Sequence, residues 1–100
     1  MLLINGNQIP DPQEMRVVCL PGEGGGLARE VQAGWAEIPL AQAAAILGAC
    51  ASPLNLTFTD PVTGARQTLP MALVTAQAEA AREDAAGSRY RLMRLVLREA

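Results

Sequence analysis

The chain has 100 residues, of which 50% are hydrophobic, and its formal net charge is −2. This length fits a single domain, residues 1–100, and the apolar content excludes a disordered chain. The small acidic excess excludes a basic surface for nucleic acid, and the absence of histidine removes the commonest acid–base group and metal ligand.

The two cysteines, Cys19 and Cys50, are too few for a disulfide scaffold or a zinc site. Both lie among apolar neighbours, so we interpret them as buried thiols in a reducing compartment, with one disulfide as the alternative. The first ten residues lack the basic and long apolar regions of a signal peptide. The apolar stretch around residues 38–51 is too short to span a membrane. We therefore expect a protein that is cytoplasmic or is assembled in the cytoplasm.

The first part of the chain predicts three strands. Residues 2–4 form a short strand that ends at the Asn5-Gly6 turn. The second strand covers residues 15–20, which include two β-branched valines. Residues 27–38 return as the third strand, with a bulge or bend expected at Gly34.

Residues 22–26, GEGGG, separate the second strand from the third. No Gly-Lys-Ser/Thr follows them, so the pattern favours a mobile hairpin tip over a phosphate-binding loop. Trp35 is the only tryptophan, and we expect it to fill a large part of the core.

Residues 39–51, PLAQAAAILGACA, predict a helix. Pro39 suits its first turn, and Ser52-Pro53 ends it. Because polar groups are almost absent, we expect the helix to be covered on more than one side, either within the monomer or by a neighbouring subunit.

Residues 54–59, LNLTFT, alternate apolar and polar side chains, as a half-buried strand does. Residues 60–64, DPVTG, form a turn in which Asp60 bonds its own downstream backbone. The chain then returns through residues 67–73. Pro70 has no N–H group, so this strand is expected to lie at an edge or to be broken there.

The end of the chain is ambiguous. Residues 75–87 are helical by propensity, or they form a long alanine-rich surface loop. Residues 89–98 fit either a helix or a strand. On a helix, Arg91, Arg94 and Arg98 share one face, which is either a partner-binding patch or a solvated surface.

The order of these elements predicts an α+β fold, namely a mostly antiparallel sheet resembling a β-sandwich or barrel, with one packed helix. No catalytic signature accompanies these elements, so any functional claim must come from their pattern and from resemblance.

Four ordered stretches resemble a family of short proteins encoded in the tail-gene regions of phages and prophages of Gram-positive bacteria. They are LLINGNQIPDPQEM, GWAEIPLAQAAAIL, LNLTFTDPVTGARQTLPM and YRLMRLVL. The family often has aromatic residues after the DP..G hairpin and a second tryptophan before its last strand. This chain has MALV and SRYR at those places, and its alanine-rich segment at 75–86 also departs from the pattern.

The resemblance implies a virion structural protein with a sandwich or barrel and one flanking helix. Such a protein assembles with copies of itself or with other tail proteins, first in the host cytoplasm and then in the virion tail. A small adaptor, assembly chaperone or connector is the alternative. Residues 22–26, the strand containing Pro70 and the apolar helix are the expected contact elements.

An enzyme is the least favoured interpretation, because no histidine is present to activate either cysteine. The available groups are Cys19, Cys50 and four carboxylates. These are Asp60, Glu79, Glu83 and Asp84. Since Asp60 is explained by its turn and the others look solvated, we expect no catalytic, cofactor-binding or metal-binding residue, no cofactor, and neither nucleic acid nor membrane as a partner.

Overall fold

The computed structural model describes residues 2–22, 24–82 and 89–99. In these ranges the chain forms strands and one helix, in the order β1 (Leu3–Ile4), β2 (Asn7–Gln8), β3 (Glu14–Pro21), β4 (Leu27–Pro39), α1 (Leu40–Ala49), β5 (Leu54–Thr59), β6 (Arg66–Arg82) and β7 (Arg89–Glu99).

The described strands form one sheet in the order β2-β1-β5-β6-β7-β4-β3, and every pairing is antiparallel. The predicted α+β class, a mostly antiparallel sheet with one helix, is confirmed. Turns join β1 to β2 and β5 to β6 as the sequence predicts. Asn5 and Gly6 have φ values of 51° and 83°, the left-handed pair that a tight hairpin turn of this twist requires.

The long strand β6 changes partner along its length. It pairs with β5 up to Met71 and with β7 from Met71 onward, so among the described residues only Met71 is paired on both sides. Pro70 lies directly before this crossover, opposite Asn55 of β5. The expectation of an edge position is therefore confirmed locally, whereas a break is wrong, because β6 continues through Pro70 to Arg82.

The sheet curls so that distant strands share one core. Leu56 of β5 and Val31 of β4 line the same internal space of about 10 Å³, although β6 and β7 separate their strands. Trp35 is 4% exposed, and its indole Nε1 donates a hydrogen bond of 2.8 Å to the carbonyl of Pro10. Its predicted role as a packing anchor is confirmed. The alternation in residues 54–59 is also confirmed, since Leu54, Leu56 and Phe58 are buried.

Helix α1 begins one residue later than expected, because Pro39 is its N-cap and lies outside the first turn. The helix buries a narrow stripe, Ala43 and Ile46, and the adjacent Cys50 is also buried. The expectation of cover on more than one side within the monomer is wrong, since Leu40 is 41% exposed. Five of its ten residues are alanines, which expose little apolar area each, so the helix tolerates one bare face.

Two local expectations near the end of the chain are decided by strand pairing. Of the segment 75–87, residues 75–82 belong to β6 and are neither helix nor loop, whereas residues 83–87 lie outside the described part of the chain. Residues 89–99 form a strand, not a helix. The alternating Met93, Leu95 and Leu97 are all buried, which a helix would not achieve. Tertiary pairing therefore overrides the helical propensity of the alanines.

Gly34 forms no bulge, because the pairing of β4 with β7 is in regular register through it and the pairing with β3 is regular up to it. The irregular backbone lies instead at Glu37, which has a φ of 54°. Gly34 matters for another reason, since it leaves a gap in the surface of the sheet.

Candidate assembly surfaces

The main candidate surface is the side of β6 that faces away from β7. From Ala72 onward no described strand pairs with β6 on this side, and the side chains from Leu73 to Glu79 are all exposed. Val74 is 52% exposed. An unpaired strand edge presents backbone N–H and C=O groups that can pair with another strand. We call residues 72–82 the β6 edge.

The β6 edge carries little protection against strand addition. Natural edges are usually guarded by lysines, prolines or bulges. From Ala72 to Glu79, Glu79 is the only charged residue. The pairing with β7 shifts register next to Val74 and again after Glu79. A regular stretch, Thr75–Glu79, therefore lies between two irregularities and is available for pairing.

Strands β6, β7, β4 and β3 follow one another in the sheet, and β3 is the margin opposite the β6 edge, since it pairs only with β4 among the described residues. On the inner face of β3, which lies on the side of the core, Met15 is 40% exposed. On the outer face of β3, Arg16 is exposed. β3 and the β6 edge thus bound the four-stranded part of the sheet, β3-β4-β7-β6, on its two sides.

A groove of about 760 Å³ crosses the outer face between these two margins. Gly34 lies in its floor, and a methyl group there would contact Arg94 Cγ at 3.7 Å and Glu14 Cβ at 3.8 Å. Further lining comes from polar side chains of β3, β4 and β6, namely Arg16, Gln32, Thr75 and Gln77. In the described part of the chain Glu14, Arg16 and Arg94 form no ion pair. The groove is thus polar and holds charges available to a partner.

The predicted hairpin tip joins β3 to β4 and is held by backbone hydrogen bonds. Gly22 N–H donates to the carbonyl of Gly26 at 3.0 Å, and Gly25 N–H donates to the carbonyl of Gly22 at 3.3 Å. Gly24, Gly25 and Gly26 all have positive φ, so this compact turn depends on glycine. Its predicted mobility stays a prediction.

A buried ion pair was not predicted from the sequence. Asp60 is fully buried, and its Oδ2 lies 3.0 Å from Nη2 of Arg29 on β4. The contact is an ion pair by distance only, since within the described residues neither Asp60 Oδ2 nor the buried Arg29 Nε has a hydrogen-bond partner. Asp60 Oδ1 accepts a hydrogen bond of 3.0 Å from Val62 N–H, which confirms the predicted turn. The pair ties the β5–β6 turn to β4.

The other groups considered for chemistry lie apart. Glu79 is exposed on β6, Cys19 and Cys50 are free thiols on β3 and after α1, and Glu83 and Asp84 lie outside the described residues. The disulfide alternative is therefore wrong. Burial raises the pKa of the Cys50 thiol. Within the described residues no group of three metal-binding side chains occurs.

Two hydrogen-bond donors stabilise the charge of the Glu30 carboxylate. Gln32 Nε2 donates to Glu30 Oε2 at 3.1 Å, and Arg98 Nη2 donates to Oε1 at 2.9 Å. The hydrogen bond from Gln32, followed by that from Arg98, lowers the pKa of Glu30 below its ordinary value of 4.5. Arg94 and Arg98 both lie on the outer face of β7. They share a face of a strand, so the helix face that the sequence offered does not exist. The side chain of Arg91 lies outside the described part.

The sequence of the β6 edge contains a strand pattern, which helix propensity alone does not take into account. Thr75, Gln77 and Glu79 alternate with alanines, which is the period-two pattern of a strand. Arg29 and Asp60 had no such signal, because they are brought together from different strands.

Comparison with family models, with curated proteins and with solved structures found no match to this chain. Among the described residues, α1 is too short to cross a membrane.

Proposed function

We propose that this chain is a non-enzymatic structural or assembly protein of a phage or prophage tail, which acts by self-association or by docking to other virion proteins. The observation that carries the proposal is the part of the β6 edge from Leu73 to Glu79, an exposed strand margin in which Glu79 is the only charged residue. The resemblance of four ordered sequence stretches to phage tail-region proteins supports the setting.

The shape of the sheet supports the same proposal. Tail proteins of this kind have a sandwich or barrel with a flanking helix, and here one curled antiparallel sheet carries one helix. The molecule measures 51 × 22 × 22 Å, and the 17-residue strand β6 offers a long margin to a neighbour. Assembly would take place in the host cytoplasm and the product would be part of the tail.

The test is the oligomeric state of the purified protein across a wide concentration range, by analytical ultracentrifugation and electron microscopy. We expect concentration-dependent oligomers that bury at least about 1,000 Å² per interface. Ala76→Lys and Ala78→Lys, both at exposed positions of the β6 edge, should produce monomers. Ala44→Lys, at an exposed position of α1, is the matched control and should leave assembly unchanged. Oligomers that survive both edge variants would contradict the role of this edge.

A binding or connector module is the alternative that the outer-face groove favours, because Glu14, Arg16 and Arg94 have no ion-pair partner in the described part of the chain. It predicts a monomer that captures one different protein at fixed stoichiometry. Arg94→Glu should abolish that capture without changing the fold. Loss of capture in Ala76→Lys as well would favour the β6 edge over the groove.

A further inference from the structure

The two free margins of the four-stranded section run in opposite directions. Three antiparallel steps separate β6 from β3, through β7 and β4. Resting on the proposed self-association, we infer that β3 of a second copy adds antiparallel to the β6 edge of the first. In this arrangement both copies have the same orientation, and the sheet continues with the same face outward.

The side chains select one register for this pairing. On the outer face, β3 presents Arg16 and the β6 edge presents Glu79, and both are exposed. Neither forms an ion pair in the described part of the chain. Opposite charges directly across a ladder are favourable. We therefore place Arg16 of the second copy opposite Glu79 of the first.

This register fills the regular stretch of the β6 edge. The five opposed positions are Arg16 with Glu79, Val17 with Ala78, Val18 with Gln77, Cys19 with Ala76, and Leu20 with Thr75. On the inner face all the opposed side chains are then apolar or thiol. These pairs are Val17 with Ala78 and Cys19 with Ala76. The pairing of β3 with β4, and of β6 with β7, places all four side chains on the inner face of the sheet.

Registers shifted by one or two residues are less favourable, because they exchange the faces of the strand or lose the pairing of opposite charges. A shift of one residue exchanges the inner and outer faces of the added strand, which would bring Arg16 to the inner face. A shift of two residues in one direction brings Glu14 opposite Glu79, and like charges across a ladder repel. A shift of two in the other direction leaves Glu79 opposite Val18 and removes the charge pair.

The added strand also has room. β5 occupies the same side of β6 only as far as Met71, so β3 of the second copy would lie in line with β5 and leave its partners undisturbed. Its glycine tip would approach residues 51–53, which are exposed. Because different surfaces of the two copies meet, the contact repeats head to tail and builds a ring or a filament.

Disulfide trapping tests this register with the natural Cys19. Directly opposed residues have Cβ atoms about 5 Å apart, close to the roughly 4 Å that a disulfide needs. In a Cys50→Ala background, Ala76→Cys gives each copy two thiols that would bond to two different neighbours. Gln77→Cys in the same background is the matched control, because its side chain lies on the opposite face of β6.

We expect mild oxidation of Ala76→Cys to give a ladder of dimers, trimers and larger species on a non-reducing gel. Gln77→Cys should give no species larger than a dimer, and Cys19→Ser should remove the ladder from Ala76→Cys. Equal ladders from both variants, or dimers of Ala76→Cys that persist after Cys19→Ser, would overturn the inference. The latter result would indicate symmetric pairing of two β6 edges.

Ultracentrifugation of the same samples separates the two proposals. Oligomers without a ladder would overturn this register while leaving self-association standing, whereas monomers at every concentration would overturn both. Charge reversal provides a test that needs no cysteine. Arg16→Glu and Glu79→Arg should each weaken self-association by about fivefold, and the double variant should recover most of the loss. Failure of the double variant to recover, with circular dichroism unchanged, would also overturn the register.

Discussion

Breaking the buried ion pair between Arg29 and Asp60 should cost a large part of the stability of this protein. The perturbation is Asp60→Asn, which keeps an oxygen to accept the hydrogen bond from Val62 N–H but removes the negative charge. Arg29, whose side chain is 17% exposed, is then left as a largely buried cation that has lost its ion-pair partner, although the Glu99 carboxylate, which accepts a hydrogen bond of 2.9 Å from Arg29 N–H, stays close to its backbone. Any loss of stability therefore reports on the charge and not on the turn.

The magnitude follows from the distance and the burial. Two unit charges 3.0 Å apart attract by about 5 kcal/mol at an effective dielectric constant of about 20. Desolvation of both groups offsets most of this attraction, so the pair adds little net stability. Removing one member, however, leaves the desolvation of the other uncompensated, and such changes cost about 3–5 kcal/mol. Because Arg29 keeps some solvent contact, we expect about 3 kcal/mol.

Urea unfolding followed by the fluorescence of Trp35, the only tryptophan, measures this loss directly. A domain of this size has a total stability of about 5–15 kcal/mol, so about 3 kcal/mol is easily resolved. The incomplete hydrogen bonding of Arg29 Nε and Asp60 Oδ2 makes a further result expected. The double variant Arg29→Met/Asp60→Asn should return to within about 1 kcal/mol of wild type, since no buried charge remains.

The result that refutes this reasoning is an Asp60→Asn variant that loses less than about 1 kcal/mol, the size of an exposed ion pair. A double variant no more stable than Asp60→Asn alone would show that Arg29 contributes by its packing and not by its charge.

Three other predictions concern single groups. Glu30 holds its proton less tightly in the folded chain than in the unfolded chain, because its pKa is below 4.5. The contribution of Glu30 to stability is therefore complete above pH 4.5 and is lost as the pH falls through the folded pKa. In Glu30→Gln the urea concentration at the unfolding midpoint should therefore depend less on pH in that window than it does in wild type. Cys19 is half-buried and Cys50 is 3% exposed in the single chain, so in protein dilute enough to keep the copies dissociated a thiol reagent should label Cys19 at least about tenfold faster. Gly34→Ala should be neutral or stabilise by up to about 1 kcal/mol in thermal unfolding, because its methyl group has nearest contacts of 3.7 Å.

Each of these has a clear control or contrary result. Glu14→Gln, an exposed carboxylate without an ion pair in the described residues, should leave the pH profile unchanged, and an equal effect of both substitutions would contradict the role of Glu30. Equal labelling rates in the native protein, with the usual rates in urea, would show that Cys50 is not shielded. A loss above about 1 kcal/mol in Gly34→Ala would mean that the strand needs glycine for its backbone.

The strands with a clear period-two pattern were predictable from sequence, and so was the turn at Asp60. In residues 54–59 each apolar residue is buried, and in the turn that follows, Asp60 Oδ1 accepts the expected local hydrogen bond from Val62 N–H. Such features depend on neighbours in the chain. The same reasoning failed at residues 75–82, where alanine propensity favours a helix when that segment is considered alone. Strand pairing with β7 overrides this preference, because β6 completes a sheet in which alternate residues of β7, namely Met93, Leu95 and Leu97, are buried.

The assembly surfaces were predictable only in part. The sequence indicated Pro70, the glycine tip and the apolar helix, and of these the helix proved to have one bare face while Pro70 proved to precede a crossover in pairing. The β6 edge was missed because exposure of an edge depends on where the neighbouring strand stops. The sequence of β6 does not indicate that its pairing with β5 stops at Met71.

By itself the sequence determined the class of fold, the tight turns and the alternation of apolar and polar residues in most strands. These features follow from local backbone preferences and from the burial of apolar side chains away from water. Tertiary structure decided which strand margins stay unpaired and that Arg29 meets Asp60. Both depend on the order of strands in the sheet, and that order follows from the combined packing of the whole core and not from any single segment.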